Sequence, residues 1–237
     1  MALVRAFDDH EYLPDYSTLV LLDPDVTWGP EDPEVPRYRD RGDKPTGTFA
    51  GSGGGWITAQ ADDLADHTVR LELHDCPPPA DHDDFDDVLE TPYRAASGGV
   101  SLAWLTDGPG ERVDLTLGDN EWFRVRIALQ RRDAGNLYTW LLRFWPASAL
   151  EPPVFLARSQ PAAGPGDNYY GLAHDLEAIL RWTPPPSLEI PMGDLAERLM
   201  VDQRDLRGAL AYAEEAGLLH ADGDHLLHVR LGRRAES

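Results

Sequence analysis

Lysine is almost missing from this chain. Lys44 is its one lysine, and Lys plus Arg number 21 against 42 Asp plus Glu, a formal charge of -21 over 237 residues. Such a field repels phosphate and excludes general affinity for nucleic acid unless a local basic patch overrides it. Cysteine is equally scarce. With Cys76 alone, no intrachain disulfide forms and nothing argues for an oxidising compartment. No apolar run reaches the roughly 18 residues that a membrane helix needs, so no membrane partner is expected. The segment from Met1 to Asp9 carries charge at Arg5, Asp8 and Asp9 and has no apolar stretch of signal length, which makes cytoplasm the expected location.

What is present is globular. Apolar residues make up 42% of the chain, with 7 Trp, 8 Tyr and 6 Phe, a supply sufficient for a packed core. The length accommodates one large or two ordinary domains. Arginine in place of lysine, together with the Ala, Gly and Pro load, points to a GC-rich and hence bacterial genome.

Period-two alternation dominates the first 160 residues. Ser17 to Leu22 reads as a buried strand, followed by an irregular stretch over 23–55 whose five prolines, at 24, 30, 33, 36 and 45, forbid a continuous helix or central strand. Trp56 to Ala59 is strand-like. Val69, Leu71 and Leu73 alternate with Arg70, Glu72 and His74, the mark of a half-buried strand that Pro77-Pro78-Pro79 stops. Val100 to Leu105 and Val113 to Leu117 are separated by the turn residues Asp107 to Gly110 and form an expected hairpin. From Trp122 to Leu129, Phe123, Val125, Ile127 and Leu129 point inward, while Arg124, Arg126 and Ala128 point outward. Tyr138 to Trp145, the most apolar run, belongs at the centre of a sheet and is joined to the preceding strand through Asp133 to Asn136. Short strands with turn signals and no helix-period segment predict an antiparallel β-sandwich or barrel over 1–160.

A Pro, Gly and Ala stretch then marks a linker at 161–170, and periodicity changes. Leu172, Leu176, Ile179 and Leu180 define a first helix. Leu195, Ala196, Leu199 and Met200 define a second that starts at Asp194, and Leu206, Ala209, Leu210 and Ala213 a third, capped by Asp202 and ended by Gly217. Asp222-Gly223 then closes a hairpin through Leu227, Val229 and Leu231. Helix, helix, helix, hairpin over 171–237 is the order of a winged helix, so the fold class is α+β, a sandwich or barrel followed by a small winged-helix domain.

The run Asp194-Leu195-Ala196-Glu197-Arg198-Leu199, with Leu206, Ala209-Leu210 and Glu214-Glu215-Ala216-Gly217-Leu218-Leu219, resembles the winged helix-turn-helix superfamily. In its DNA-reading members, exposed residues of the third helix enter the major groove. The matching positions are Gln203, Arg204, Asp205 and Arg207, with Arg230 on the wing. Asp205, Glu214 and Glu215 depart from that pattern, and residues 171–237 hold 7 Arg against 12 Asp plus Glu. The strand order from Val69 through Trp145-Pro146, ending in a Tyr-rich, Trp-Pro segment, is similar to the competence protein J family, which implies an inhibitor of a DNA-entry nuclease.

Candidate sites are few. Asp81, Asp83, Asp84, Asp86 and Asp87 cluster hard oxygen ligands but break calcium-loop spacing, with Phe85 where a ligand is needed. His220 and His225 are expected to face each other across the Asp222-Gly223 turn, with His228 on the opposite face and no third metal ligand identifiable. His74 and Cys76 share a strand face as a Cys/His pair without an oxyanion hole. Gly51 to Gly55 lacks the Lys and Ser/Thr of a P-loop. Trp104, Trp122, Trp140 and Trp145 either line a pocket mouth or pack the core. No cofactor or catalytic residue is expected. The chain reads as a non-enzymatic interaction or regulatory protein with a protein partner. The alternatives are a DNA-binding regulator, disfavoured by net charge, and an inhibitor of a basic nuclease or toxin.

Overall fold

The computed structural model describes residues 2–26, 49–104, 108–109, 112–132, 136–147, 151–159, 163, 168–183 and 187–232. Most of the irregular stretch expected over 23–55, the turn at 133–135 and residues 161, 162 and 164–167 of the 161–170 linker lie outside the described residues.

β1 (Leu3–Tyr12) turns through Tyr16 and Ser17 into β2 (Thr18–Leu22). β3 (Ala50–Ser52) and β4 (Trp56–Gln60) form a hairpin, followed by β5 (Asp66–His74), β6 (Asp87–Arg94), β7 (Gly99–Trp104), β8 (Gly108–Pro109), β9 (Leu115–Thr116), β10 (Trp122–Arg132), β11 (Leu137–Pro146) and β12 (Val154–Ala157). They make two open sheets rather than a closed barrel. The first has the order β1-β5-β11-β10-β6-β12, and the second the order β3-β4-β2-β7-β8 with β9 beside β7.

Alternation explains why the sheets pack. Leu19, Leu21, Ile57 and Ala59 of the second sheet share one core with Val69, Leu71, Phe123, Val125, Ile127, Leu142 and Phe144 of the first. Phe49 stacks on Trp140 within it, with ring centroids 6.1 Å apart.

The sandwich is not wholly antiparallel as expected. β5 and β11 pair in parallel, Leu71 opposite Leu142, because the β6 and β10 hydrogen-bonding partners lie between them in sequence and the chain must cross over to return. The Val113 to Leu117 strand shortens to Leu115–Thr116. β1 and β6 were not anticipated. β6 contains Pro92, which usually argues against an inner strand, yet β12 pairs only with Val88, Leu89 and Glu90, leaving Pro92 beyond the end of that ladder.

After residue 168 come α1 (Tyr170–Arg181), β13 (Ser187–Pro191), α2 (Met192–Leu199), α3 (Gln203–Glu215), β14 (Leu219–Asp222) and β15 (Leu226–Leu231). β13 adds a third, unexpected strand, giving a sheet of order β13-β15-β14. Asp202 caps α3 by accepting the Asp205 N–H at 2.8 Å. Gly217, at φ +69°, lets the chain leave that helix. Leu227, Val229 and Leu219 face the helices, and the apolar cluster continues from there into the core of the sheets.

Candidate functional site

The densest polar chemistry lies on the outer face of the first sheet. Register places Glu72 opposite Arg143, Arg143 opposite Arg126 and Arg126 opposite Glu90, one row across β5, β11, β10 and β6 in which two carboxylates flank two guanidiniums. The Arg126 guanidinium donates to Glu90 at 2.8 Å and to the Pro79 carbonyl at 2.6 Å, and that of Arg143 donates to Glu72 at 3.2 Å and to Asp81. Arg124 donates to the carbonyls of Glu151 and Pro152. Arg70 bridges Asp8 and Glu72 at 2.8 and 2.7 Å.

Arg124 and Arg126 were expected to face solvent. Both are buried, because the Pro77–Asp81 segment and the 151–153 segment fold over them. Alternation tells which face a residue is on, not whether that face is roofed. Burial lowers the Arg124 pKa. Burial pushes the Glu72 carboxyl up, but hydrogen bonds from Arg70 and His74 and the charge of Arg143 outweigh it and hold it below the usual range. The Arg143 hydrogen bond lowers Asp81. These carboxylates are pinned in ionised form by arginines, which suits a fixed charge lattice rather than proton transfer.

The acidic segment disperses. Asp81 faces Arg143 and Arg126. Asp86 accepts the Arg131 backbone N–H, and the fully buried Asp87 binds the Arg131 guanidinium at 2.5 Å and Ser159 at 2.7 Å, while Asp83 and Asp84 point to solvent. Among the described residues, no group of three or more His, Cys, Asp or Glu converges to hold a metal.

The histidine pairing on the wing is corrected. Asp222 lies opposite His228 and His220 opposite Arg230, since the turn takes in more than Asp222-Gly223, and His225 precedes β15. His228 therefore shares the solvent face of the sheet with His220 and Arg230, beside Glu189 at 3.5 Å.

Nor do the four tryptophans share a pocket. Trp140 is in the core, Trp145 lies under Arg126 on the outer face, Trp122 meets Trp182 edge-on at 5.9 Å, and Trp104 is exposed. His74 is held by Glu72 at 2.9 Å, and the Cys76 thiol hydrogen-bonds to Asp75. Gly51 lies in β3, and the turn after it passes Gly55 at φ +78°. An open cleft of about 710 Å³ between Arg94–Gly98 and Gly118–Glu121 has its one cation, Arg94, tied to Glu121 at 2.9 Å.

Gln203, Arg204 and Arg207 are exposed on α3, and Arg230 is exposed on β15. Every other described arginine hydrogen-bonds to another part of the chain. Arg230 occupies the sheet face opposite the one that packs on the helices, so an apolar layer separates it from Arg204 and Arg207.

A contact set that sequence reasoning missed joins the two portions. Arg158 pairs with Asp175 at 3.0 Å, both side chains nearly inaccessible, donates to the Leu199 carbonyl at 3.2 Å and lies over the Phe155 ring. Arg198 donates to the Pro152 carbonyl at 3.2 Å. Nothing local in the sequence marks Arg158, whose partners lie 17 and 41 residues away.

No family model matches the chain, and no curated protein matches it. Among solved structures it is similar to ComJ, inhibitor of the DNA degrading activity of NucA, from Bacillus subtilis, at 11% identity and a TM-score of 0.41 over 62% of this chain and 98% of that one. A likeness that coarse supports no statement about what this chain does.

Proposed function

We propose that this chain is a non-enzymatic interaction protein whose partner is another protein. The acidic sandwich over 1–160 is its main surface, and 171–237 is a winged helix that supplies a second. The order α1, β13, α2, α3, β14, β15 and the sheet order β13-β15-β14 support the winged-helix reading.

The observation that carries the functional reading is the fate of the arginines. The described arginines of the sandwich are engaged in internal bonds, so among the described residues its surface offers few free cations beside a chain charge of -21. Such a surface steers a basic partner, for example a nuclease or toxin that it inhibits.

One observation favours a second reading, DNA binding through the winged helix. Arg204 and Arg207 are unpaired among the described residues, and they sit three apart on one face of α3. Against it, Arg230 lies across the apolar layer, and Asp202, Asp205, Glu214 and Glu215 interrupt any positive stripe.

Fluorescence anisotropy with duplex DNA across a salt series separates the readings. The protein-binding reading expects no submicromolar binding at physiological salt. Submicromolar affinity that falls steeply with salt overturns it.

A further inference from the structure

β1 is an edge strand with one partner. Among the described residues it pairs only with β5, and all of Leu3 to Glu11 is exposed or half-buried. A row of backbone N–H and C=O groups is therefore open along its outer side, a template for an added strand. Register breaks between Leu3 and Arg5 and between Asp9 and Tyr12 leave a regular stretch over Arg5–Asp9. Bulges and charge are common protections of an edge, so the question is what these particular ones refuse and what they admit.

The charge on the edge is of one sign at one end. Asp8, Asp9 and, after His10, Glu11 lie along it, and Asp62 and Asp63 precede β5, which begins at Asp66 and pairs with that end through His67 opposite Tyr12. Asp8 is matched by Arg70 at 2.8 Å, whereas Glu11 and Asp63 have no cation against them among the described residues. A second copy of the chain pairing antiparallel through Arg5–Asp9 would set Asp9 opposite the Arg5 and Asp8 opposite the Ala6 of its twin, so the carboxylates beyond that stretch, Glu11 with Asp62, Asp63 and Asp66, would go unmatched. A strand bearing lysine or arginine along its whole length matches both ends.

The same end carries the exposed apolar side chains of Leu13 and Tyr16, with Trp104 beside them. The Trp104 indole N–H donates to the Leu13 carbonyl at 2.9 Å, and its ring stacks on Tyr12. Tyr16 and Ser17 both have positive φ, +50° and +55°, in the tight turn closed by the Thr18 N–H on the Asp15 carbonyl. Paired positive φ is what this class of two-residue turn demands and what Asn-Gly supplies without strain, yet here it holds a tyrosine outward.

We propose that the free edge of β1 is a strand-docking site for an extended, basic segment of a partner protein, which continues over Leu13, Tyr16 and Trp104. Backbone pairing supplies the attachment, the carboxylates select for basic residues, and the apolar patch anchors one end. The inference rests on the protein-binding reading above and names its surface.

Amide hydrogen exchange of the full chain tests it, with two short synthetic peptides as probes, one alternating lysine and valine and one alternating glutamate and valine. The expected result is about tenfold slower exchange at alternate amides of Arg5–Asp9 with millimolar lysine peptide, weakened by salt, and no change with the glutamate peptide. The variant Asp9→Lys with Glu11→Lys, checked for an unchanged melting temperature, should reverse that preference. Absence of protection with the lysine peptide, equal protection with both, or concentration-dependent dimerisation through β1 each overturns the proposal. If a partner recovered from cells binds while β1 exchange is unaffected, the docking site falls and the protein-binding reading stands. If no protein binds at all, that reading falls first.

Discussion

Trp140 donates its indole N–H to Nδ1 of His67 at 3.0 Å. An indole nitrogen can only donate, so Nδ1 must be the unprotonated nitrogen, and Nε2–H donates to the Asp62 carbonyl at 2.7 Å. The ring is thereby held as one neutral tautomer, 1% exposed, and burial lowers its pKa below 6.5 even though the Asp62 carbonyl works the other way. A histidine whose folded pKa is depressed binds its proton more readily in the unfolded chain. Its contribution is therefore complete above pH 6.5 and is lost as pH falls below that value. Thermal melts from pH 7.5 to 5 should show declining stability, and His67→Gln, which can accept and donate while remaining neutral, should flatten the decline.

Glu177 adds a second, more acidic step. Burial pushes its carboxyl up, but hydrogen bonds from His174 at 3.0 Å and Arg181 at 2.7 Å outweigh this and hold it at about 2. A depressed carboxyl gives stability that is present above its unfolded pKa, near 4.5, and disappears as pH falls toward about 2. Glu177→Gln should lower the melting temperature at pH 7 and leave the pH 2 value nearly unchanged.

The Arg158–Asp175 pair should behave as a buried ion pair. Arg158→Met leaves a nearly inaccessible carboxylate without its cation and should cost about 3–5 kcal/mol. The double variant Arg158→Met with Asp175→Leu should recover part of that loss. Chemical denaturation of the two variants against the parent checks the order.

Gly208 sits inside α3, where alanine is ordinarily better by about 1 kcal/mol. Here a Cβ would come within 2.2 Å of the Tyr169 ring, whose hydroxyl reaches Asp205 at 3.3 Å. Gly208→Ala should therefore destabilise by about 1–3 kcal/mol. In a Tyr169→Leu background the same change should cost much less, or stabilise.

Arg204→Ala with Arg207→Ala should leave stability within about 0.5 kcal/mol, since neither arginine bonds to any described residue. A larger loss by differential scanning calorimetry would mean that these arginines support the fold rather than face a partner.

Much of the architecture was legible because its strands are buried on one side. Val69-Leu71-Leu73 and Phe123 to Leu129 announce themselves by alternation, and Asp202 and Gly217 mark helix ends through chemistry confined to a few residues. β1 was silent because an edge strand with both faces half open, Leu3–Tyr12, has no apolar rhythm to read. β13 was silent because it is five residues that follow a triple proline and only Leu188 and Ile190 face inward. The charge row was misread for another reason. Arg124 and Arg126 occupy the face that alternation assigns them, but the burial of Arg126 depends on a proline segment more than 40 residues away in the chain and that of Arg124 on Glu151 and Pro152, 27 and 28 residues away.

The parallel seam between β5 and β11 sets a timetable for synthesis. Asn136, whose backbone carbonyl accepts the Asp66 N–H and whose side chain donates to the Leu64 carbonyl, clamps the start of that seam. β5 thus emerges from the ribosome with β1 on one side and nothing on the other until residues 137–146 have been made. A chain arrested before that point exposes the border of β5 that β11 covers in the finished sheet, and is the species on which a holdase would act.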